Sequence, residues 1–121
     1  MARTFFALGA LFGFLAVAAG AFGAHALRAR LAPDRLELFE LAVRYQMYHA
    51  LALLAAAWAT ERFSQRAAGI SGWFFLVGIL IFCGTIYGLA FGAPRWLGAV
   101  TPIGGVSLLI GWLLVLVAAL R

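Results

Sequence analysis

The chain has no lysine: all nine basic residues among its 121 positions are arginines. A Schiff-base lysine and the lysine of a phosphate-binding loop are therefore excluded. Acidic residues are also scarce, with four Asp and Glu in all and no carboxylate pair inside an apolar block, so paired-carboxylate acid–base chemistry has no groups to use. The single cysteine, Cys83, rules out an intrachain disulfide. It sits in an apolar block, where a buried thiol is inert. No Ser-His-Asp arrangement and no glycine-rich phosphate loop is present. The two histidines, His25 and His49, match no established zinc spacing, so neither metal nor cofactor is expected.

Charge as a whole is low. Charged residues make up 11% of the chain and hydrophobic ones 66%, against about 25% and 45–50% in an ordinary soluble domain. Such a chain cannot cover a soluble surface, and a single multi-pass membrane domain is the reading that fits. The net charge of +5 does not indicate nucleic acid, because the arginines stand at the edges of apolar blocks, where they act as interfacial anchors and headgroup partners. Membrane lipid is thus the expected partner, with a second copy or another membrane protein as a further possibility.

Four apolar blocks follow one another: Phe5–Ala24, Tyr45–Ala59, Ile70–Phe91 and Ile103–Leu120. A helix crosses a bilayer core of about 30 Å with roughly 20 residues. The expected fold is an all-α transmembrane bundle of four helices, with spans near 5–24, 43–60, 70–91 and 102–120. The second block is short, and a short amphipathic approach helix from Pro33 is expected before it. There Leu36, Phe39 and Val43 share one face, Glu37, Glu40 and Arg44 another, and Glu40–Arg44 is an i,i+4 pair. The first block exceeds the 7–15 apolar residues of a signal peptide, so it reads as a retained span. Trp58 and Trp73 mark one interface and Trp96 the other, while Trp112, in mid-block, reads as a packing residue. Arginines divide almost evenly between the two sides, Arg28, Arg30, Arg35, Arg44 and Arg95 against Arg3, Arg62, Arg66 and Arg121, so the positive-inside rule assigns no orientation.

Small residues recur every fourth position at Gly9 and Gly13, at Ala16, Gly20 and Ala24, and at Gly84, Gly88 and Gly92. Such stripes let helix backbones approach closely, here within one chain in preference to between copies. Thr101-Pro102-Ile103-Gly104-Gly105 reads as a capped helix start, with Thr101 as N-cap, Pro102 in the first turn, and Gly104 and Gly105 admitting a neighbouring backbone or a ligand.

With four spans, parity gathers His25, Arg44, Tyr45, Gln46, Tyr48, His49, Tyr87 and Thr101 at one membrane side. Tyr45 and His49 share a helix face one turn apart. Polar groups at this depth need partners or a use. One reading is structural, with His49 bonding a neighbouring helix near Tyr87 or Thr85 and fixing the register. The other is a site, with His49 relaying protons or Arg44 clamping a phosphate or carboxylate.

The residues that carry this cluster also form a family pattern: Gly20-Ala21-Phe22-Gly23-Ala24-His25-Ala26-Leu27, Tyr45-Gln46-Met47-Tyr48-His49-Ala50-Leu51-Ala52-Leu53-Leu54, Phe82-Cys83-Gly84-Thr85-Ile86-Tyr87, Thr101-Pro102-Ile103-Gly104-Gly105 and Gly111-Trp112. In this order the chain resembles, over nearly its whole length, the family catalogued as domain of unknown function 423. It departs at Cys83 and Thr85, where the pattern more often has serine, and a serine-dependent role there loses its basis. The resemblance implies a multi-span protein of the bacterial cytoplasmic (inner) membrane and no particular activity. The leading expectation for function is lipid or protein binding, a scaffold role. A proton or small-solute transporter or channel subunit, acting as an oligomer, is the alternative, and a lipid-modifying enzyme is the reading with least support.

Overall fold

A computed structural model describes all residues from Met1 to Arg121. Leu, Ala and Phe dominate the apolar blocks, and in an apolar solvent a chain must satisfy its backbone internally, so the blocks fold as helices. Four long helices result: α1 (Ala2–Leu27), α2 (Pro33–Arg62), α3 (Gln65–Ala90) and α4 (Leu97–Leu120). No strand is present. The local signals mark the ends. Pro33 occupies the first turn of α2, where its missing N–H costs nothing, and Asp34 beside it complements the positive helix end. Ser64 caps α3, its side chain accepting the Ala67 N–H at 3.4 Å.

Three of the four helices, α1, α3 and α4, are long and apolar enough to cross a membrane, with lengths of 26, 26 and 24 residues. The fourth, α2, is the longest at 30 residues but does not reach the same apolarity. Its first half carries Asp34, Arg35, Glu37, Glu40 and Arg44, and its middle carries Gln46 and His49. The expected approach helix is not a separate element: it and the second apolar block form one unbroken helix. Nothing between Pro33 and Arg62 interrupts helix formation, because the segment has no internal glycine or proline.

The helices pack mainly on their chain neighbours. α1 lies along α2, α2 against α3, and α3 against α4, while α2 and α4 scarcely touch. The core gathers Phe5, Leu53, Phe75, Ile79, Cys83, Ile86 and Leu108 around a face of α2 made of Ala42, Ala52, Ala56 and Ala57. Small side chains there bring the neighbours close, which in lipid is the main source of packing attraction.

The glycines divide. A Cβ at Gly9 would stand 2.8 Å from the Ala50 carbonyl oxygen, one at Gly20 3.1 Å from Val43 and one at Gly23 3.0 Å from Phe39, so this stripe is used by α2 of the same chain. Gly13 sits in ordinary contact, 3.9 Å from Ala50. Gly104 meets the backbone of Phe82, and Gly105 lies more loosely against its ring at 3.6 Å. The expected stripe on α3 forms only at Gly88, which meets Leu97, the first residue of α4, while Gly84 has no neighbour and Gly92 lies beyond the helix with φ +95°. Gly92 is a helix-ending glycine, needed for a left-handed turn. The close seams of α3 and α4 run instead through Gly72 against Phe5, Gly78 against Leu108, and Gly111 against Phe75.

Two wide, π-type turns interrupt the α-helical pattern, at Ala19–Gly23 in α1 and Ile79–Cys83 in α3. The start of α4 also differs from expectation. The helix begins at Leu97, so Pro102 falls inside it and Thr101 is not its cap. The Thr101 hydroxyl lies 3.2 Å from the Leu97 carbonyl, one turn back.

Candidate functional site

Gln46 stands on the face of α2 between α1 and α3 and is buried. Its side-chain amide donates to the Phe12 carbonyl of α1 at 2.9 Å, and its carbonyl oxygen accepts the Tyr87 hydroxyl of α3 at 2.7 Å. One side chain therefore ties three helices. The tie also bridges the two irregular helices: α1 supplies the carbonyl within two turns of its π-type turn, and Tyr87 follows that of α3 by one turn.

One turn along α2, about 60° round the helix from Gln46, His49 points toward α4. Its Nδ1 lies 2.8 Å from the Tyr45 carbonyl, and its Nε2 lies 3.0 Å from Trp112 Nε1. An indole nitrogen only donates, so His49 Nε2 accepts. The ring proton is then on Nδ1 and donates to Tyr45. Both partners specify one neutral tautomer. Phe75 and Trp112 pack edge-on at 5.2 Å beneath it, and Tyr45 stacks on the imidazole at 6.0 Å.

A third polar contact joins α3 and α4, with the hydroxyls of Thr85 and Thr101 2.6 Å apart. Thr85 also donates within its helix to the Ile81 carbonyl at 2.7 Å. A fourth, Ser107 to the Phe74 carbonyl at 2.8 Å, pins the same helix pair deeper in the bundle. No buried side-chain nitrogen or oxygen lacks a hydrogen-bond partner.

Of the eight residues assigned to one cluster from the sequence, five belong to these contacts, in three separate places: Gln46 with Tyr87, Tyr45 with His49, and Thr101 with Thr85. The other three stay outside. His25, Arg44 and Tyr48 are exposed. The helix ends do converge as parity required, with Gly23 against Phe39 and Arg35 against Gly92. The partner expected for His49, near Tyr87 or Thr85, is instead Trp112. The sequence carried one signal for it: an indole N–H in mid-membrane needs an acceptor. Ser107 and the Phe12 carbonyl were also missed, and a backbone carbonyl acting as acceptor leaves no trace in residue type.

The gap between α2 and α4 forms a laterally open cleft of about 490 Å³. Tyr45 and His49 form one wall, Phe82 the floor, and Pro102, Gly105, Val106, Leu109 and Trp112 the other wall. A second groove, about 360 Å³, lies between α1 and α3 over Gln46 and Tyr87.

Part of the family pattern lines this cleft, namely Tyr45, His49, Phe82, Pro102, Gly105 and Trp112, and comparison with known proteins decides the relationship. The model of the family described as Protein of unknown function (DUF423) matches residues 19–105. The chain belongs to the DUF423 family. A UPF0382 membrane protein of Staphylococcus epidermidis is 43% identical over 119 residues, covering 98% of this chain and 97% of its own. The UPF0382 membrane protein YwdK of Bacillus subtilis is 38% identical over 120 residues, with 98% of each chain covered. A UPF0382 membrane protein of Haemophilus influenzae is 42% identical over 114 residues, covering 93% and 90%. No solved structure matches. This DUF423 protein is therefore a multi-pass membrane protein of a family without an assigned activity, and its three apolar helices agree with the relatives' description as membrane proteins.

Proposed function

We propose that this DUF423 member is a four-span protein of the bacterial cytoplasmic membrane that binds lipid, seating one acyl chain in the cleft between α2 and α4. The cleft carries the reading. It opens sideways, toward where the acyl chains of a bilayer lie, and it is walled by rings and aliphatic side chains with few polar atoms. Along α4 it runs from Pro102 to Trp112, about 15 Å at the helical rise. Its volume falls in the range of roughly 300–1,000 Å³ of small-molecule sites. Tyr45, at its outer end, is followed back along α2 by exposed Arg44, which is suited to a headgroup phosphate.

Support for a fourth span comes from how α2 sits. Its contacts with α1 run from Phe39 at Gly23 through Val43 at Gly20 to Leu54 at Gly9, so α2 keeps to the same depth as an apolar helix along most of its length. Its low apolarity reflects the charges of its first half together with Gln46 and His49, and the polar atoms of those two are satisfied by hydrogen bonds within the protein. The relatives in Staphylococcus and Bacillus, described as membrane proteins, and the helical architecture support the cytoplasmic membrane.

Conduction has less in its favour. Every charged residue lies at or beyond a helix end or on the exposed first half of α2, and both His49 nitrogens are already bonded. A proton relay needs a free ionisable group inside the bundle.

The test is lipid retained through purification, measured by native mass spectrometry. The chain is expected to carry one phospholipid more than Val106→Trp, which fills the cleft from an exposed position while remaining folded. Equal retention by both proteins would sink the reading.

A further inference from the structure

The end of the bundle away from the cleft mouth gathers arginines with almost no acid beside them. Four helix ends meet there. The Met1 side chain lies on Gly69, the Ser64 N–H is 3.4 Å from the Ala118 carbonyl, and Ala59, Ala67, Ala68 and Ala118 share a small core. This brings Arg3, Arg62, Arg66 and Arg121, all exposed, to one surface, where Glu61 is the sole acidic side chain. At the opposite end, Arg28, Arg30, Arg35, Arg44 and Arg95 are interleaved with Asp34, Glu37 and Glu40.

Two further features set the first surface apart. Arg62 lies over the exposed ring of Trp58, its guanidinium carbon 5.8 Å from the ring centre, and Phe63 closes edge-on against the same indole at 5.3 Å. Attraction to the ring holds the guanidinium in place and uses none of its N–H donors, which remain for a phosphate. Trp58 and Trp73 are both exposed here, as indoles are at headgroup level. α1 and α3 both begin at this end with an arginine and no acid in the first turn, while α2 and α4 end there, so the opposed helix dipoles largely cancel and the arginine side chains set the charge.

From this arrangement we infer that the surface of Arg3, Arg62 and Arg66 around Trp58 is a docking site for the phosphate of an anionic phospholipid. The ligand is a lipid and not a free anion, because the arginines sit beside two membrane-interface tryptophans, so headgroup and acyl chain are bound together. Arginine in place of lysine matters here, since a bidentate fork grips phosphate where an ammonium acts as a point charge. The site is independent of the α2–α4 cleft.

The experiment measures thermal unfolding of the full chain in neutral detergent during titration with phosphatidylglycerol, phosphatidylcholine or inorganic phosphate. Phosphatidylglycerol is expected to raise the midpoint saturably and well beyond phosphatidylcholine, whose smaller effect reports the cleft alone, and inorganic phosphate to leave it nearly unchanged. Arg62→Gln/Arg66→Gln is expected to weaken the response roughly tenfold or more, Arg62→Lys/Arg66→Lys to recover only part of it, and Arg28→Gln/Arg30→Gln to respond as the parent does. Val106→Trp is expected to keep the excess of phosphatidylglycerol over phosphatidylcholine, which separates this site from the cleft. If the Arg62/Arg66 variant does not fold, Arg3→Gln alone takes its place, with a smaller loss expected. Equal effects of the two phospholipids, equal losses from the two arginine pairs, or an equal rise with inorganic phosphate would each overturn the inference.

Discussion

Gln46 and His49 sit one turn apart on the same helix, yet they do different things. Gln46 lies beneath the groove between α1 and α3, and both ends of its amide are held by these two helices. His49 faces the open side toward α4, held by one indole across a gap. A polar group with two partners on two helices fixes where those helices stand. A polar group bonded once across a cleft tolerates movement of the far wall. Polarity in a membrane helix thus has no single meaning; what surrounds the second hydrogen bond decides between a tie and a site.

The largest expected effect tests the close packing that both regions depend on. Gly104→Leu drives a side chain into the backbone of Phe82, and the cost is expected to be about 3 kcal/mol or more. Gly84→Leu, at a glycine with no neighbour, is expected to stay within about 0.5 kcal/mol. Thermal unfolding and gel filtration in detergent read both. Equal losses would mean that the seams run elsewhere.

Next comes the tie. Gln46→Leu removes two interhelical bonds and leaves the Tyr87 hydroxyl without its partner, for an expected loss of about 1–3 kcal/mol. Adding Tyr87→Phe should cost little more, because the shared bond is already gone, and a double-mutant cycle is expected to give a coupling near 1 kcal/mol. Strict additivity would show that the bond contributes nothing.

The smallest effect belongs to the open side. His49→Phe keeps a ring against Tyr45 and Phe75 and loses the local bond to the Tyr45 carbonyl and the one interhelical bond to Trp112, the latter worth about 0.6 kcal/mol, the average of interhelical bonds in membranes. The Trp112 fluorescence maximum should shift as the indole N–H loses its acceptor. A loss as large as that of Gln46→Leu would erase the distinction between the two regions.

Much of this was legible from residue order. Composition placed the chain in a membrane, the apolar blocks located three apolar helices, and parity brought the ends of α1 and α3 to the starts of α2 and α4. The i,i+4 spacing of Tyr45 and His49 put them on one face. What failed has identifiable causes. Every-fourth-residue spacing marked Gly84 and Gly92 as a seam, but spacing says only which residues share a face and not whether that face meets a helix. The eight-residue cluster split into three contacts because parity gives depth and not direction around a helix. Trp112 looked like packing, since its role depends on which neighbour offers an acceptor. The unbroken run of α2 from Pro33 was readable from the absence of breakers, yet the switch from charged to apolar residues suggested a boundary.

The most direct measurement pairs Gln46→Leu with Val106→Trp and records, for each, the unfolding midpoint and the lipid bound per folded molecule. A tie at Gln46 and a cleft beside His49 predict a crossed result: Gln46→Leu lowers the midpoint and keeps its lipid count, and Val106→Trp keeps its midpoint and binds one lipid fewer. Both variants losing stability and lipid together would contradict the division of labour along α2.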